Sequence, residues 1–195
     1  MFTGIITHLG VFRGFRNGRR TLTVEAPGLS GRFAEGDSLA VNGVCLTLTK
    51  KEGGCLSFDL AQETLGRTNL GTLRPGARLN LELPATLETL LSGHLVTGHI
   101  DGRGRVVKLA ARPPGKRLTV EFPAGLRPYF VPQGSVAIDG VSLTIAALGA
   151  RTFEVELIPL TLEKSTLGTL GPGAAVNLEC DILGKYVYNY LSKIR

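Results

Sequence analysis

This chain states its pattern twice, and that limits what it can become. Residues 41–48 read VNGVCLTL and residues 138–145 read IDGVSLTI. The echo is wider than that phrase. SLAVNGVCLTLT (38–49) and SVAIDGVSLTIA (135–146) share six of twelve letters, and TLGRTNLGTL (64–73) and TLEKSTLGTL (161–170) share six of ten. LTVEAP (22–27) returns as LTVEFP (118–123), and GARLNLE (76–82) as GAAVNLE (173–179). FTGI (2–5) aligns with VTGH (96–99) at an offset of 94, and the rest runs at an offset close to 97. Three extra residues around ARPPGK in the second copy absorb the difference. A repeat this long exceeds any solenoid unit, so each copy is a whole domain. The boundary falls in ETLLSG (88–93), giving units 1–92 and 93–182 and a C-terminal segment 183–195.

Each copy reads as β-structure. LTVEA, SLAVN, CLTLT, LSFDL and ARLNLEL alternate apolar and polar letters over four or five residues, and RNGR, AEGD, KEGG and RPGA punctuate them. Roughly six strands per copy without a crossover helix favour an antiparallel barrel or sandwich over a βαβ fold. Closure into a barrel removes the edges that so small a sheet would otherwise expose. ETLGRTNLG is expected to add one helical turn. The C-terminal DILGKYVYNYLSKIR breaks the pattern: Leu183, Val187, Leu191 and Ile194 recur at helical spacing, with Lys185, Asn189, Ser192 and Lys193 largely opposite. This amphipathic helix has two places to bury its stripe, its own barrel or copies of itself.

Composition excludes several classes. Apolar residues make up 43% and charged residues 19% of the 195, which suits a soluble globular chain. No stretch reaches the roughly 18 to 20 apolar residues of a membrane helix, and MFTGII lacks the features of a signal peptide, so a cytoplasmic location is expected. Cys45, Cys55 and Cys180 give neither a disulfide framework nor a zinc motif. The net charge of +6 is spread along the chain, and RNGRR (16–20) reads as a hairpin turn, so neither nucleic acid nor membrane is an expected partner. His94 and His99 are five apart, which on a strand points them to opposite faces and argues against a shared metal.

The informative letters are those that differ between copies. Ile5 becomes His99, Asn42 becomes Asp139, Cys45 becomes Ser142 and Pro84 becomes Asp181. Each has an ordinary structural explanation: a histidine bonded beneath a turn, a small buried thiol, a turn-forming serine. Together, on one frame, they point to two similar pockets with different chemistry.

MFTGI, the pair NGVCLTL and IDGVSLTI, the junction GHLVTGHIDG, and the segments ETLGRTNLG and TLEKSTLG together resemble the riboflavin synthase family of the α-chain type. The likeness runs in order along essentially the whole chain. It implies an all-β protein of two tandem six-stranded antiparallel Greek-key barrels plus a C-terminal helix that assembles a homotrimer. The active site would form where the N-terminal barrel of one subunit faces the C-terminal barrel of its neighbour. The implied reaction joins two molecules of 6,7-dimethyl-8-ribityllumazine by four-carbon transfer, giving riboflavin and 5-amino-6-ribitylamino-uracil, with no metal or organic cofactor. Association with lumazine synthase is a further implied contact. Donor and acceptor are one compound, so two nearly identical pockets with different reactive letters make sense.

The resemblance implies catalytic roles for His99, Ser142, Cys45, Asp139 and Asp181, with His99 as proton carrier, Ser142 and Cys45 supplying or positioning a nucleophile, and the two carboxylates orienting His99 or accepting protons. It assigns Gly4, Ile5 and Ile6, Cys45, Leu46 and Thr47, and Asp59, Leu60, Ala61, Gln62, Glu63 and Thr64 to a first substrate pocket, with Phe2 close by. Gly98, His99 and Ile100, Ser142, Leu143 and Thr144, and Glu156, Leu157, Ile158, Pro159, Leu160 and Thr161 form a second. Glu63 and Leu160 mark a departure at a pair of positions where many relatives carry a polar residue at both, and Gln133, also assigned to substrate binding, stands where a lysine is common. A rival of another class, the lumazine-binding antenna proteins, shares the fold but holds its ligand without turnover and should lack the second-copy reactive set.

Overall fold

The computed structural model describes residues 1–29, 31 and 34–194. The first copy supplies β1 (His8–Arg16), β2 (Thr21–Glu25), β3 (Ser38–Val41), β4 (Val44–Glu52), β5 (Cys55–Asp59) and β6 (Arg78–Glu82). They close into an antiparallel barrel in the order β1-β2-β5-β4-β3-β6. The second supplies β7 (Gly102–Arg112), β8 (Gly115–Glu121), β9 (Ser135–Ile138), β10 (Val141–Leu148), β11 (Thr152–Leu157) and β12 (Ala175–Cys180), closed in the equivalent order. In each barrel three consecutive strands form a meander and a later strand returns beside the first of them, which is a Greek key. Short helices α1 (Gln62–Arg67) and α2 (Pro159–Lys164), each followed by a 3₁₀ turn, occupy the connection before the last strand. The expected turn in ETLGRTNLG is α1 with its 3₁₀ extension. Among the described residues, no helix is long and apolar enough to cross a membrane.

Period-two patterning sorts each strand between core and outer wall. In β4, Val44, Leu46 and Leu48 point into the barrel while Cys45 and Thr47 point out. In β10, Val141, Leu143 and Ile145 point in while Ser142 and Thr144 point out. Phe12, Leu22, Val24, Leu39 and Phe58 fill the first core. The second is built around Phe122, Phe130 and Phe153, with the first and last stacked 5.8 Å apart. Cys45 and Ser142 therefore lie on the outside of two packed barrels.

The barrels meet about a pseudo-twofold axis. The β3–β4 hairpin turns through Asn42 and Gly43 (φ +45° and +76°), and β9–β10 through Asp139 and Gly140 (φ +45° and +81°), the type I′ geometry that Asn-Gly and Asp-Gly favour. The two turns touch backbone to backbone: a Cβ on Gly43 would lie 2.6 Å from the Gly140 nitrogen. Asn80 and Asn177, both fully buried, reach across. Asn80 Nδ2 donates to the Asp139 carbonyl and Asn177 Nδ2 to the Asn42 carbonyl, both at 2.9 Å. Their Oδ1 atoms accept from the backbone N–H of Thr166 (2.8 Å) and Asn69 (2.7 Å). Outside this seam, Phe2 and Val96 pair as a β-bridge and pack with Ala40 and Ala137.

α3 (Ile182–Ser192) starts at an Asp181 cap that accepts from the Leu183 N–H at 3.0 Å. It touches its own barrel through Tyr188, edge-on to Tyr129, and through Lys185, whose Nζ lies 2.7 Å from Asp101. Leu183, Val187, Leu191 and Ile194 stay exposed.

Two outcomes follow from the seam. Gly43→Ala forces a side chain into the facing turn at a left-handed φ and is expected to destabilise the fold by about 2–4 kcal/mol, read as a drop in thermal midpoint. Burial lifts the Asp139 carboxyl from 3.8 to about 7, against the opposing bonds from Asn177 and Asn69. A carboxyl with a raised folded pKa favours folding at low pH and loses that contribution as pH rises through about 7. Asp139→Asn, which does not titrate, should remove a pH-dependent loss on the order of 2–4 kcal/mol between pH 4 and 8. Urea unfolding of both proteins across that range measures it, and parallel pH slopes would refute the assignment.

Candidate functional site

Two clefts open on the outer wall, one beside Cys45 and one beside Ser142. The Cys45 cleft encloses about 370 Å³ between Val44, Cys45, Ala61, Glu63, Thr64, Arg67, Thr68 and the incoming segment Gly98, His99, Ile100 and Asp101. The Ser142 cleft consists of two adjoining cavities of about 530 and 290 Å³. Its wall is Val141, Ser142, Leu143, Thr144, Ile158, Leu160, Thr161 and Lys164, closed by Gly4, Ile5 and Ile6. Position by position the walls correspond, with Ala61 for Ile158, Glu63 for Leu160, Arg67 for Lys164 and His99 for Ile5.

The grouping that the family resemblance implies is therefore exchanged. The resemblance puts Gly98–Ile100 in the Ser142 pocket and Gly4–Ile6 in the Cys45 pocket; the structure does the reverse. The Cys45 N–H donates to the Gly98 carbonyl (2.9 Å), and the Ser142 N–H to the Gly4 carbonyl (2.8 Å). The cause is the Phe2–Val96 bridge, which lays each entry segment across the other copy's barrel. Two buried carboxylates hold the crossing. Glu82 accepts from Thr3 N (2.7 Å), Thr3 Oγ1 (2.7 Å) and Gly4 N (3.0 Å). Glu179 accepts from Thr97 N (2.6 Å), Thr97 Oγ1 (2.7 Å) and Gly98 N (2.9 Å). Burial raises both carboxyls above the usual range, and the donated bonds pull the other way. Neither glutamate was anticipated. The retained NLE in GARLNLE and GAAVNLE was the available signal, because two polar letters kept in an otherwise buried strand need partners.

Other expected site residues resolve individually. Asp139 is corrected: it lies in the inter-barrel seam, 2% exposed, accepting from Asn69 Nδ2 (2.9 Å) and the Asn177 N–H (2.8 Å), and lines neither cleft. Its difference from Asn42 is matched across the seam, where Asn69 supplies the donor and Thr166 occupies the equivalent place. Phe2, 1% exposed, is a core side chain of the junction that Cys45 packs against, not a cleft wall. Leu46, Leu60 and Leu157 belong to the barrel cores. Asp59 ends β5, with its carboxylate accepting from Thr21 Oγ1 (2.8 Å). Gln62 and Pro159 open α1 and α2 at exposed positions. Glu156 lines the Ser142 cleft while paired with Arg112 and Arg117. Gln133 sits in a left-handed turn (φ +63°), and it is Ser135, two residues on, that reaches the cleft. Thr144 lines the Ser142 cleft, and its counterpart Thr47 stands on the same outward face of β4.

The two histidines separate. The expectation of one strand carrying both is replaced by an irregular link in which Val96 forms a β-bridge with Phe2. His99 is exposed in the Cys45 cleft. His94 is 8% exposed and its Nδ1 lies 2.7 Å from Ser142 Oγ, a contact the letters alone did not suggest. Burial holds its pKa below the ordinary histidine value, and the Asp181 carboxylate acts in the opposite direction. Asp181, expected to orient His99 or accept protons, acts electrostatically on the other ring. No cluster of three or more His, Cys, Asp or Glu able to hold a metal ion occurs among the described residues.

Against known proteins, residues 3–84 and 97–181 each match the lumazine binding domain. The chain is 44% identical to riboflavin synthase of Mycobacterium tuberculosis, covering 96% of each. It is 36% identical to riboflavin synthase of Actinobacillus pleuropneumoniae, over 99% of this chain and 91% of that one. It superposes on a crystal structure of LumP complexed with riboflavin at a TM-score of 0.84 and 26% identity, over 92% of this chain and 99% of that one. A duplicated lumazine binding domain spanning the chain, with relatives this similar over nearly their full length, places it in the riboflavin synthase family.

Proposed function

We propose that this protein is a riboflavin synthase that converts two molecules of 6,7-dimethyl-8-ribityllumazine, by transfer of four carbons from one to the other, into riboflavin and 5-amino-6-ribitylamino-uracil. The observation that carries this reading is the pair of corresponding clefts with different polar walls. Two matched cavities suit two copies of one compound, and unequal walls suit unequal fates. Holding two dilute rings in reacting register can itself contribute several kcal/mol.

The chemistry maps onto the clefts as grouped in space. The ligand's C7 methyl is acidic because its anion delocalises into the ring system, so one cleft needs a base and both need donors directed at the ring. In the Cys45 cleft, His99 is the proton carrier, with Glu63, Arg67 and Asp101 around it. In the Ser142 cleft, Ile5 and Leu160 stand where the other has His99 and Glu63, and Ser142 meets the ring with Thr161 and Lys164 nearby. Cys45 and Ser142 occupy equivalent outward positions and position or supply the group that adds to C7.

Units 1–92 and 93–182 act as the two ligand-holding domains, and 183–195 as the assembly helix. The exposed Leu183–Val187–Leu191 stripe favours burial against the same helix in other copies, as a homotrimer. We place the protein in the cytoplasm, with association with lumazine synthase as an additional contact. A second reading, a protein that holds lumazine or flavin without turnover, is favoured by the similarity to LumP.

Purified protein mixed with 6,7-dimethyl-8-ribityllumazine alone should yield one riboflavin per two lumazines consumed, followed by absorbance and chromatography. Tight binding without product would select the second reading. His99→Ile gives the Cys45 cleft the residue found in the other and is expected to lower kcat by about 10²–10⁴-fold while lumazine still binds. Leu183→Asp with Leu191→Asp should convert the assembly to monomers in sedimentation equilibrium, and an unchanged mass would exclude the helix as the contact.

A further inference from the structure

His94 lies in the link between the barrels, next to Ser92 and Gly93 of the Ser142 cleft wall. Its backbone N–H donates to the Thr3 carbonyl (3.1 Å). Gly93 packs so closely that a Cβ there would lie 2.1 Å from that carbonyl and 2.9 Å from Ser142 Cβ. The link is thus clamped, and among the described residues the ring's one polar contact is Nδ1 to Ser142 Oγ at 2.7 Å. Nε2 is buried with no partner among the described residues. A hydrogen on Nε2 would be a buried donor with nothing to accept it, which folded proteins avoid more strictly than an unshared acceptor. The proton of the neutral ring therefore belongs on Nδ1, where it donates to Ser142 Oγ. That leaves the serine's own hydrogen to face the cleft.

We propose that His94 is the positioning residue of the Ser142 cleft: by donating from Nδ1 to Ser142 Oγ, it fixes the serine hydroxyl as a hydrogen-bond donor to negative charge on the ligand ring. This rests on the lumazine reading above and extends it. Charge that arises by loss of the methyl proton or by addition at C7 spreads onto ring heteroatoms, and a donor already oriented stabilises it without reorganisation. Two hydrogen bonds in series polarise each other, so the histidine strengthens the serine's donation without touching the ligand. Burial lowers the ring's pKa and so favours its neutral form. The charged group acting on it is Asp181 at the start of α3, whose carboxylate is engaged with the Leu183 N–H. Ser142 Oγ is the side-chain partner facing the ring.

The test compares His94→Asn, which keeps a donor near the Nδ1 position, with His94→Leu, Ser142→Ala and the Leu/Ala double variant. His94→Leu should lower kcat for riboflavin formation by about 10²–10³-fold with the lumazine Kd within threefold, and His94→Asn should recover most of the loss. On the Ser142→Ala background, His94→Leu should cost nothing further. An equal loss on both backgrounds, or Asn no better than Leu, would overturn the proposal. ¹⁵N-histidine NMR decides the same point without turnover. A neutral ring protonated at Nδ1, with signals that move on Ser142→Ala and on lumazine addition, agrees with it; protonation at Nε2 overturns it. If the wild-type protein binds lumazine but forms no riboflavin, the synthase reading fails while the NMR result still judges His94.

Discussion

The backbone contact between the Asn42-Gly43 turn and the Asp139-Gly140 turn sets the distance between the two barrels, and the rest of the molecule is arranged around it. Neither turn tolerates a Cβ at its glycine, so the barrels approach until main chain meets main chain. At that spacing, Asn80 and Asn177 each reach the opposite turn's carbonyl and the opposite 3₁₀ segment's N–H. A buried amide that satisfies donors and acceptors on both sides costs little, whereas a seam shifted by one residue would strand several polar groups without water. The polar seam thus fixes one relative placement of the two domains, where an apolar contact would permit sliding.

That placement creates the clefts. With the barrels joined this way, each entry segment pairs with backbone of the other barrel's wall: Gly98 with Cys45, and Gly4 with Ser142. Glu82 and Glu179 secure the crossing from below, each capturing two backbone N–H groups and a threonine hydroxyl. Each cleft is therefore built from both halves of the chain. The two histidines are placed by different routes: His99 reaches the Cys45 cleft through the duplicated frame, and His94 reaches Ser142 through the link between domains.

The base of α3 bears on groups at both clefts. Lys185 binds Asp101, which lines the Cys45 cleft and also accepts from the Cys180 N–H (2.8 Å). Asp181, which caps the same helix, acts on the histidine bonded to Ser142. The helix base therefore meets Asp101 of the Cys45 cleft directly and acts by charge on His94 beside the Ser142 cleft.

Much of this was legible in the letters. Alternation in CLTLT and VSLTI, with glycine turns between runs, determined strands whose inward faces are apolar and whose outward faces carry Cys45, Thr47, Ser142 and Thr144. The duplication determined two like domains, and the 3.6-residue spacing after Asp181 determined a helix with one apolar face. These are local properties, set by where side chains point from a regular backbone. The tertiary structure alone decided which segments share a cleft, that Asp139 is a seam residue paired with Asn69, that Phe2 is core, and that His94 rather than His99 meets Ser142. An alignment of the repeat treats each copy as self-contained, and offset arithmetic cannot show that the entry segments cross. The crossing arises because backbone groups left over by one closed barrel must find partners, and the nearest ones belong to the other.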